Sequence, residues 1–155
     1  MAVKKTIAII GAADNNDGAI ARSLAKDNYR LLLIGQDINK LAYLANGIIA
    51  SVPSAEIDTM DCAFNGCWEA DIIILDMPYP AQKEIAEKIR DVATGKTVIS
   101  ICNGMHQTPT AKEPGALQEI LPYSKVLHLT ATTEINGAID AVIKSDDVRV
   151  ISINK

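Results

Sequence analysis

The sequence is poor in cysteine and in aromatic residues, and both shortages exclude classes of protein. Its 155 residues include three cysteines, an odd number without a C-x-x-C pair, so neither a disulfide framework nor a thiolate zinc site is indicated. One tryptophan, four tyrosines and one phenylalanine are too few for the stacking platforms that bind single-stranded nucleic acid. We therefore predict free thiols, no bound metal and no nucleic-acid partner.

Basic charge and long apolar runs are also lacking. The formal net charge is -4, which gives no attraction for a phosphate backbone. The apolar runs at residues 7–10, 31–34 and 72–75 are too short to cross a bilayer. The first residues, MAVKKT, lead into a strand without the apolar core of a signal peptide. These features predict a cytoplasmic protein with no membrane partner.

What the sequence does contain is typical of one globular domain. Hydrophobic residues make up 48% of the chain and charged residues 22%, and a chain of 155 residues can bury a single core. Neither a repeat nor a linker divides the sequence, so we predict one domain over residues 1–155.

Short apolar runs alternate with segments of helical period along the chain, as in β-α-β units around a parallel sheet. The runs predict strands at residues 6–10, 30–34, 55–60, 71–77, 97–101, 125–129 and 148–153. The intervening segments predict helices at residues 18–26, 38–45, 63–69, 80–93, 115–121 and 135–143. The fold class is therefore α/β, a doubly wound, mostly parallel, Rossmann-like sheet whose ligands bind outside the carboxyl ends of the strands.

Two of these helices have predicted buried faces. Asp37 is predicted to cap the second helix, whose inner face carries Ile38, Leu41 and Leu44. Pro80 suits the first position of the fourth helix, where its missing N–H costs nothing. The apolar stripe of that fourth helix is formed by Ala81, Ile85, Ile89, Val92 and Ala93.

The loop GAADNNDG follows the first strand and is the predicted seat of a pyrophosphate. The free N–H groups that begin the next helix favour an anion at this position. A G-x-G-x-x-G motif would require glycine at Ala13 and Asn16, and neither position has one. Gly11 and Gly18 bracket the loop instead, and Asn15 or Asn16 can adopt a positive φ.

Asp14 and Asp17 argue against a phosphate in this loop. A carboxylate about 5 Å from a phosphate, at an effective dielectric constant of about 20, costs about 3 kcal/mol of repulsion. In the alternative interpretation, Asp17 caps the helix and occupies the N–H groups that a phosphate would need. The residues alone leave both interpretations open.

The end of the second strand is where a dinucleotide fold distinguishes its cofactors. An acidic residue there reads the ribose of NAD, and a basic residue reads the 2′-phosphate of NADP. The sequence offers Gly35, Gln36 and Asp37. Asp37 is either a helix cap or a ribose ligand, and Gln36 favours neither cofactor. Lys40, one turn into the helix, is the candidate reader of a 2′-phosphate.

Two patterns could be catalytic, and both have a simpler explanation. Tyr79 and Lys83 form the Y-x-x-x-K pair of short-chain dehydrogenases, but chance alone gives about 0.3 such matches in a chain of this composition, and Pro80 is expected to keep Tyr79 out of the helix. Cys102 lies near His106, yet it ends a buried strand where nothing local activates the thiol. The catalytic residues are therefore unassigned.

Three segments resemble one known family. The chain opens with KKTIAIIGAADNNDGAIARSLAKDNYRLLLIGQDINKL, which resembles the start of the NADP oxidoreductases that use a deazaflavin coenzyme, a group of 6-phosphogluconate-dehydrogenase-like proteins. It continues with ADIIILDMPYPAQKEIAEKIRDVATGKTVISICN, which is similar to the family's strand ending in proline, helix, glycine-lysine corner and strand ending in asparagine. GALQEILPYSKVLHLTAT is similar to the family's Leu-Pro turn and following strand.

The resemblance extends over most of the chain and implies where a dinucleotide binds. The family's phosphate loop corresponds to Gly11, Ala12, Ala13, Asn15, Asn16 and Gly18. Its 2′-phosphate readers correspond to Gly35, Gln36 and Lys40. Its backbone contacts to the nicotinamide half correspond to Met77, Pro78 and Asn103. The implied cofactor is NADP or NAD, and the resemblance favours NADP.

The chain departs from the family's pattern at three places. Its loop is one residue longer and has polar residues in place of the second glycine. Its second strand is followed by Gly35 and Gln36 where the family has serine and arginine. Most of the family's C-terminal part, which helps to bind the deazaflavin and to close the dimer, is expected to lie outside this chain.

Together these features predict an NAD(P)-dependent oxidoreductase that transfers a hydride between a nicotinamide and a second carrier or small substrate. The cofactors carry such chemistry, so few titratable side chains are required. One alternative is a non-catalytic NAD(P)-binding module that acts as a sensor or subunit, and another is a truncated short-chain dehydrogenase. The small substrate is unassigned, and a homodimer is expected for so short a chain in this fold.

Overall fold

The computed structural model describes residues 5–11, 19–26, 29–76, 79–102 and 113–130. The strands in this part are β1 (Thr6–Ile10), β2 (Arg30–Ile34), β3 (Glu56–Met60), β4 (Ile72–Leu75), β5 (Thr97–Cys102) and β6 (Lys125–Thr130). They form one parallel sheet in the order β3-β2-β1-β4-β5-β6. This order confirms the predicted doubly wound sheet, and it reverses direction between β1 and β4.

The helices lie in the connections between the strands. They are α1 (Ala19–Ala25), α2 (Ile38–Ser51), α3 (Ala63–Glu69), α4 (Tyr79–Ile89) and α5 (Glu113–Ile120). Each matches a helix predicted from the sequence, with α2 longer and α4 shorter than predicted. The predicted helix at 135–143 and strand at 148–153 lie outside the described residues.

The core explains why the central strands have uninterrupted apolar sequences. β1 and β4 are buried at every position, as expected for a sheet covered by helices on both faces. One face packs against α1 and α2 through Ile7, Ile9, Leu33, Ile74, Leu24 and Leu41. The other face packs against α3, α4 and α5 through Ala8, Ile10, Leu32, Ile73, Cys67, Ala86 and Leu117.

The predicted inner faces of two helices need correction. Ile38, placed on the inner face of α2, is 42% exposed, whereas Leu41 and Leu44 are buried. On α4, Ala81 and Ile85 are only half-buried, and the fully buried positions include Gln82. Ile89, Val92 and Ala93 are buried as predicted. The difference lies in the first turns of α4, where strand carbonyls accept hydrogen bonds from the Gln82 amide inside the core.

The start of α4 also differs from the prediction. The helix begins at Tyr79, one residue before Pro80. The expectation that Pro80 would keep Tyr79 out of the helix is therefore wrong. Proline is tolerated in the first turn of a helix, where its missing N–H removes no bond within the helix.

The amino edge of the sheet, where the parallel strands begin, is tied together by side chains. The Asp71 carboxylate accepts a hydrogen bond from the Thr6 backbone N–H at 2.9 Å. Arg30, the first residue of β2, pairs with Asp58 at 3.1 Å and with Glu69 at 3.3 Å. These contacts join β1, β2, β3 and the end of α3.

A lysine completes the amino edge by binding the end of α3. Lys96 Nζ donates to the carbonyl oxygens of Cys67 and, at 2.7 Å, of Trp68. Carbonyls at a helix end are short of partners and attract a cation. Burial lowers the pKa of Lys96. Nearby, Ser124 Oγ donates to the Ala93 carbonyl at 2.7 Å, so this edge is held by contacts within the protein.

Candidate functional site

A cavity of about 790 Å³ opens at the carboxyl edge of the sheet, where the parallel strands end. Its volume lies within the range typical of small-molecule sites. The residues that follow β1, β2 and β3, together with the start of α3 and one side of α4, form its walls. Its described lining comprises Ile10, Gly11, Ile34, Gly35, Gln36, Asp37, Asp61, Cys62, Ala63, Phe64, Ala81, Glu84, Ile85 and Lys88.

Gly11 turns the chain out of β1 at the entrance to the cavity. Its φ is +92°, a conformation that glycine adopts without the strain other residues would have. Its N–H donates to the Ile34 carbonyl at 3.3 Å, so the turn is also joined to β2. The rest of the predicted phosphate loop, residues 12–18, lies outside the described residues, and its role stays a prediction.

The turn after β2 forms a second side of the cavity. Gly35 and Gln36 both line it, and the Gly35 N–H donates to the Met60 carbonyl at 3.2 Å. Lys40 is exposed on the first turn of α2 and is not among the described lining residues. Of the three residues predicted to read a 2′-phosphate, the structure therefore brings two to the cavity.

Asp37 is both a helix cap and part of the cavity. Its Oδ1 accepts the Lys40 backbone N–H at 3.2 Å, which caps α2 as predicted. Asp37 also lines the cavity. A carboxylate has two oxygens that each accept hydrogen bonds, so the cap and a ligand contact, treated as alternatives in the sequence, are compatible.

Sequence reasoning missed Asp76, which follows β4 beside the end of β1. Its side chain is 5% exposed, and its backbone N–H donates to the Ile10 carbonyl at 2.9 Å. Burial raises the pKa of Asp76 to about 6. A carboxylate directly after the apolar strand IIIL, where the strand order reverses, was the signal in the sequence that could have identified it.

Gln82 was also missed, and it connects α4 to the ends of two strands. Its Nε2 donates to the carbonyls of Leu75, at 3.4 Å, and Ile101, at 3.0 Å. Its Oε1 accepts a hydrogen bond from Ser100 Oγ. The amide therefore fixes the ends of β4 and β5 relative to each other.

The residues predicted to contact a nicotinamide, Met77, Pro78 and Asn103, lie outside the described residues.

The cavity combines apolar walls with a polar rim. Of the apolar lining residues, Ile34 is almost fully buried, and Ala81 and Ile85 on α4 are half-buried. Gln36 and Asp37 are exposed at the opening. Such a site suits a flat ring system carrying a polar group that stays at the rim.

In the described part of the chain, no three His, Cys, Asp or Glu side chains are grouped to hold a metal.

Cys62 and Cys67 differ in burial and in access to the cavity. Cys62 and Cys67 are both unpaired, but only Cys62 lines the cavity. Burial raises the pKa of Cys67 to about 12, so this thiol stays protonated and unreactive at neutral pH.

Within the described residues, no helix is both long and apolar enough to span a membrane.

Sequence comparison relates the chain to one family. Residues 6–104 match the family described as NADP oxidoreductase, coenzyme F420-dependent. The match covers more than half of the chain and includes every described residue that lines the cavity. No curated protein sequence matches the chain.

Solved dehydrogenases share the fold. An alcohol dehydrogenase from Thermococcus sibiricus, solved with 5-hydroxy-NADP, has a TM-score of 0.62 and 15% identity, covering 92% of this chain and 91% of that one. A short-chain oxidoreductase from a metagenome, solved with NADP, has a TM-score of 0.58 and 16% identity, with coverages of 90% and 89%.

A lactate dehydrogenase from Cryptosporidium parvum is similar over a smaller share of its length. Its TM-score is 0.61 and its identity 17%, and the match covers 79% of this chain. This chain spans 41% of that enzyme's length. At such low identities these similarities establish the fold alone.

Proposed function

The chain belongs to the family of coenzyme F420-dependent NADP oxidoreductases, and from that premise we propose that it binds a nicotinamide dinucleotide and transfers a hydride. The family and its structural relatives are NAD(P)-dependent oxidoreductases. The observation that carries the proposal is the cavity at the carboxyl ends of β1, β2 and β3, beside the point where the strand order reverses. Dinucleotides bind at this point in doubly wound sheets.

In this proposal the cavity receives the adenosine half of the dinucleotide. Ile85 offers apolar surface to the base, and Gln36 and Asp37 lie at the rim, where the ribose hydroxyls would be. The pyrophosphate follows the turn at Gly11, and the predicted loop residues Ala12, Ala13, Asn15, Asn16 and Gly18 surround it. The free N–H groups at the start of α1 favour that anion.

The nicotinamide half lies at the ends of β4 and β5. Met77, Pro78 and Asn103 are the proposed backbone contacts, and Gln82 holds the strand ends from which they extend. The bound dinucleotide supplies the hydride chemistry, and the protein orients it against a second carrier or small substrate. The described residues therefore act by binding and positioning.

Binding can be tested with the whole chain in thermal unfolding experiments with NADH and NADPH. A ligand at 100 times its dissociation constant adds about 2.7 kcal/mol to the free energy of unfolding. Loss of reduced-nicotinamide absorbance with deazaflavin, quinone and carbonyl acceptors then tests hydride transfer. No stabilisation by either nucleotide would contradict the proposal. Binding without turnover would instead support the non-catalytic module.

A cavity-filling variant tests whether the nucleotide binds in this cavity. Ala81→Phe places a ring in the cavity from a half-buried position on α4, and it should weaken nucleotide binding at least about tenfold, because the ring occupies space that the ligand needs. Ala50→Phe is the matched control, since Ala50 is exposed on α2 away from the cavity. Equal affinities in the two variants would show that the nucleotide binds elsewhere.

A further inference from the structure

The rim of the cavity carries more negative than positive charge. Among the described residues that line it, Asp37, Asp61 and Glu84 are acidic and Lys88 is basic. An additional phosphate group on a ligand would therefore meet repulsion at this edge of the sheet.

Asp37 is the carboxylate whose position is fixed by the fold. Its Oδ1 is engaged in the cap of α2, where it accepts the Lys40 N–H at 3.2 Å. Turning the carboxylate away from the cavity would break that cap. The negative charge therefore stays at the rim when a ligand enters, and the second oxygen can accept a hydrogen bond.

We propose that the cavity selects NAD(H), whose adenosine ribose has a free 2′-hydroxyl, over the 2′-phosphorylated NADP(H), with Asp37 as the specificity-determining residue. This inference rests on the proposed function, because it assumes that the adenosine ribose lies at the rim. Asp37 follows β2, where an acidic side chain accepts a hydrogen bond from the ribose hydroxyl in dinucleotide folds. The same carboxylate repels a 2′-phosphate.

Lys88 is the one basic residue among the described residues that line the cavity. Lys40, the residue predicted to read a 2′-phosphate, is not among the described residues that line the cavity. Lys88 lines it from α4, a different element from the turn after β2, and Glu84 lies one helical turn before it. A unit negative charge on the ligand, about 5 Å from Asp37 at a dielectric constant of about 20, corresponds to about a hundredfold loss of affinity. Screening by salt reduces this loss of affinity, but at least about a tenfold loss is expected to remain.

The test is the ratio of the dissociation constants for NADH and NADPH, measured by calorimetric titration of the whole chain. NADH should bind about tenfold more tightly or better. Asp37→Asn removes the charge but keeps a good helix cap, so it should lower that preference about tenfold without unfolding the protein. Glu87→Gln removes the same charge from an exposed position on α4 that is outside the cavity lining, and it should leave the ratio unchanged.

Salt gives a second readout that a purely structural role for Asp37 would not change. Raising the ionic strength screens the repulsion, so the preference for NADH should shrink in the wild type and stay flat in Asp37→Asn. Equal binding, or tighter binding of NADPH, would overturn this inference and leave the proposed function standing. Failure of both nucleotides to bind would overturn the proposed function itself.

Discussion

The two edges of the sheet use their polar side chains in opposite ways. At the amino edge, Asp71, Lys96 and Ser124 each bind a backbone group of a neighbouring element. At the carboxyl edge, Gln36, Asp61 and Glu84 line an open cavity. The amino edge therefore contributes mainly to stability, whereas the carboxyl edge presents polar groups to a ligand. Substitutions at the two edges should affect stability and nucleotide binding separately.

Gln82 is the exception that breaks this division, because it stabilises the carboxyl edge from within. Gln82→Leu would leave the Ser100 hydroxyl and the Leu75 and Ile101 carbonyls without this partner inside the core. Each buried polar group left unpaired costs about 1–3 kcal/mol. We expect a loss of about 4 kcal/mol in the free energy of unfolding by denaturant titration, together with weaker nucleotide binding. Unchanged binding by the folded variant would show that Gln82 does not position the nicotinamide contacts.

Asp76 sharpens the comparison, because its burial should make the carboxyl edge less stable at neutral pH. The folded pKa of about 6 exceeds the ordinary aspartate value of 3.8, so the protonated carboxyl favours folding. That contribution is complete below pH 3.8 and is lost as the pH rises through about 6. Relative to wild type, Asp76→Asn should therefore gain about 2 kcal/mol between pH 4 and pH 7.5. A stability difference that does not vary with pH would contradict this account.

Lys96 provides the corresponding test at the amino edge. Lys96→Met keeps the apolar stem but removes the ammonium from the carbonyls at the end of α3. We expect a loss of about 2 kcal/mol in the free energy of unfolding, because those carbonyls lose a charged donor. Nucleotide affinity should stay within about twofold of wild type by calorimetric titration. A larger change in affinity would show that the two edges are coupled.

The sequence was a good guide wherever local pattern decides structure. The runs TIAII and RLLLI predicted β1 and β2 with their correct bounds, because a strand covered on both faces has an uninterrupted apolar sequence. The cap by Asp37 was predicted for a similar reason, since an N-cap contacts a backbone N–H only three residues away.

The sequence was a poor guide wherever distant residues decide structure. Gln82 is buried because its amide meets carbonyls of β4 and β5, up to 19 residues away. The cavity is formed by residues of β1, β2, α3 and α4 that are brought together only by the strand order. Neither arrangement has a local signature, so helical periodicity placed Ala81 and Ile85 in the core when they line the cavity.

The double role of Asp37 has a consequence for how cofactor preference could change during evolution or by design. On the proposal that Asp37 repels a 2′-phosphate, replacing Asp37 with arginine would remove that repulsion, but it would also remove the cap of α2, at a cost of about 1 kcal/mol. Gln36 is exposed at the same rim and does not form the cap. On the same proposal, a change toward NADP would be less costly if a basic side chain arose first at position 36, with Asp37 becoming asparagine afterwards.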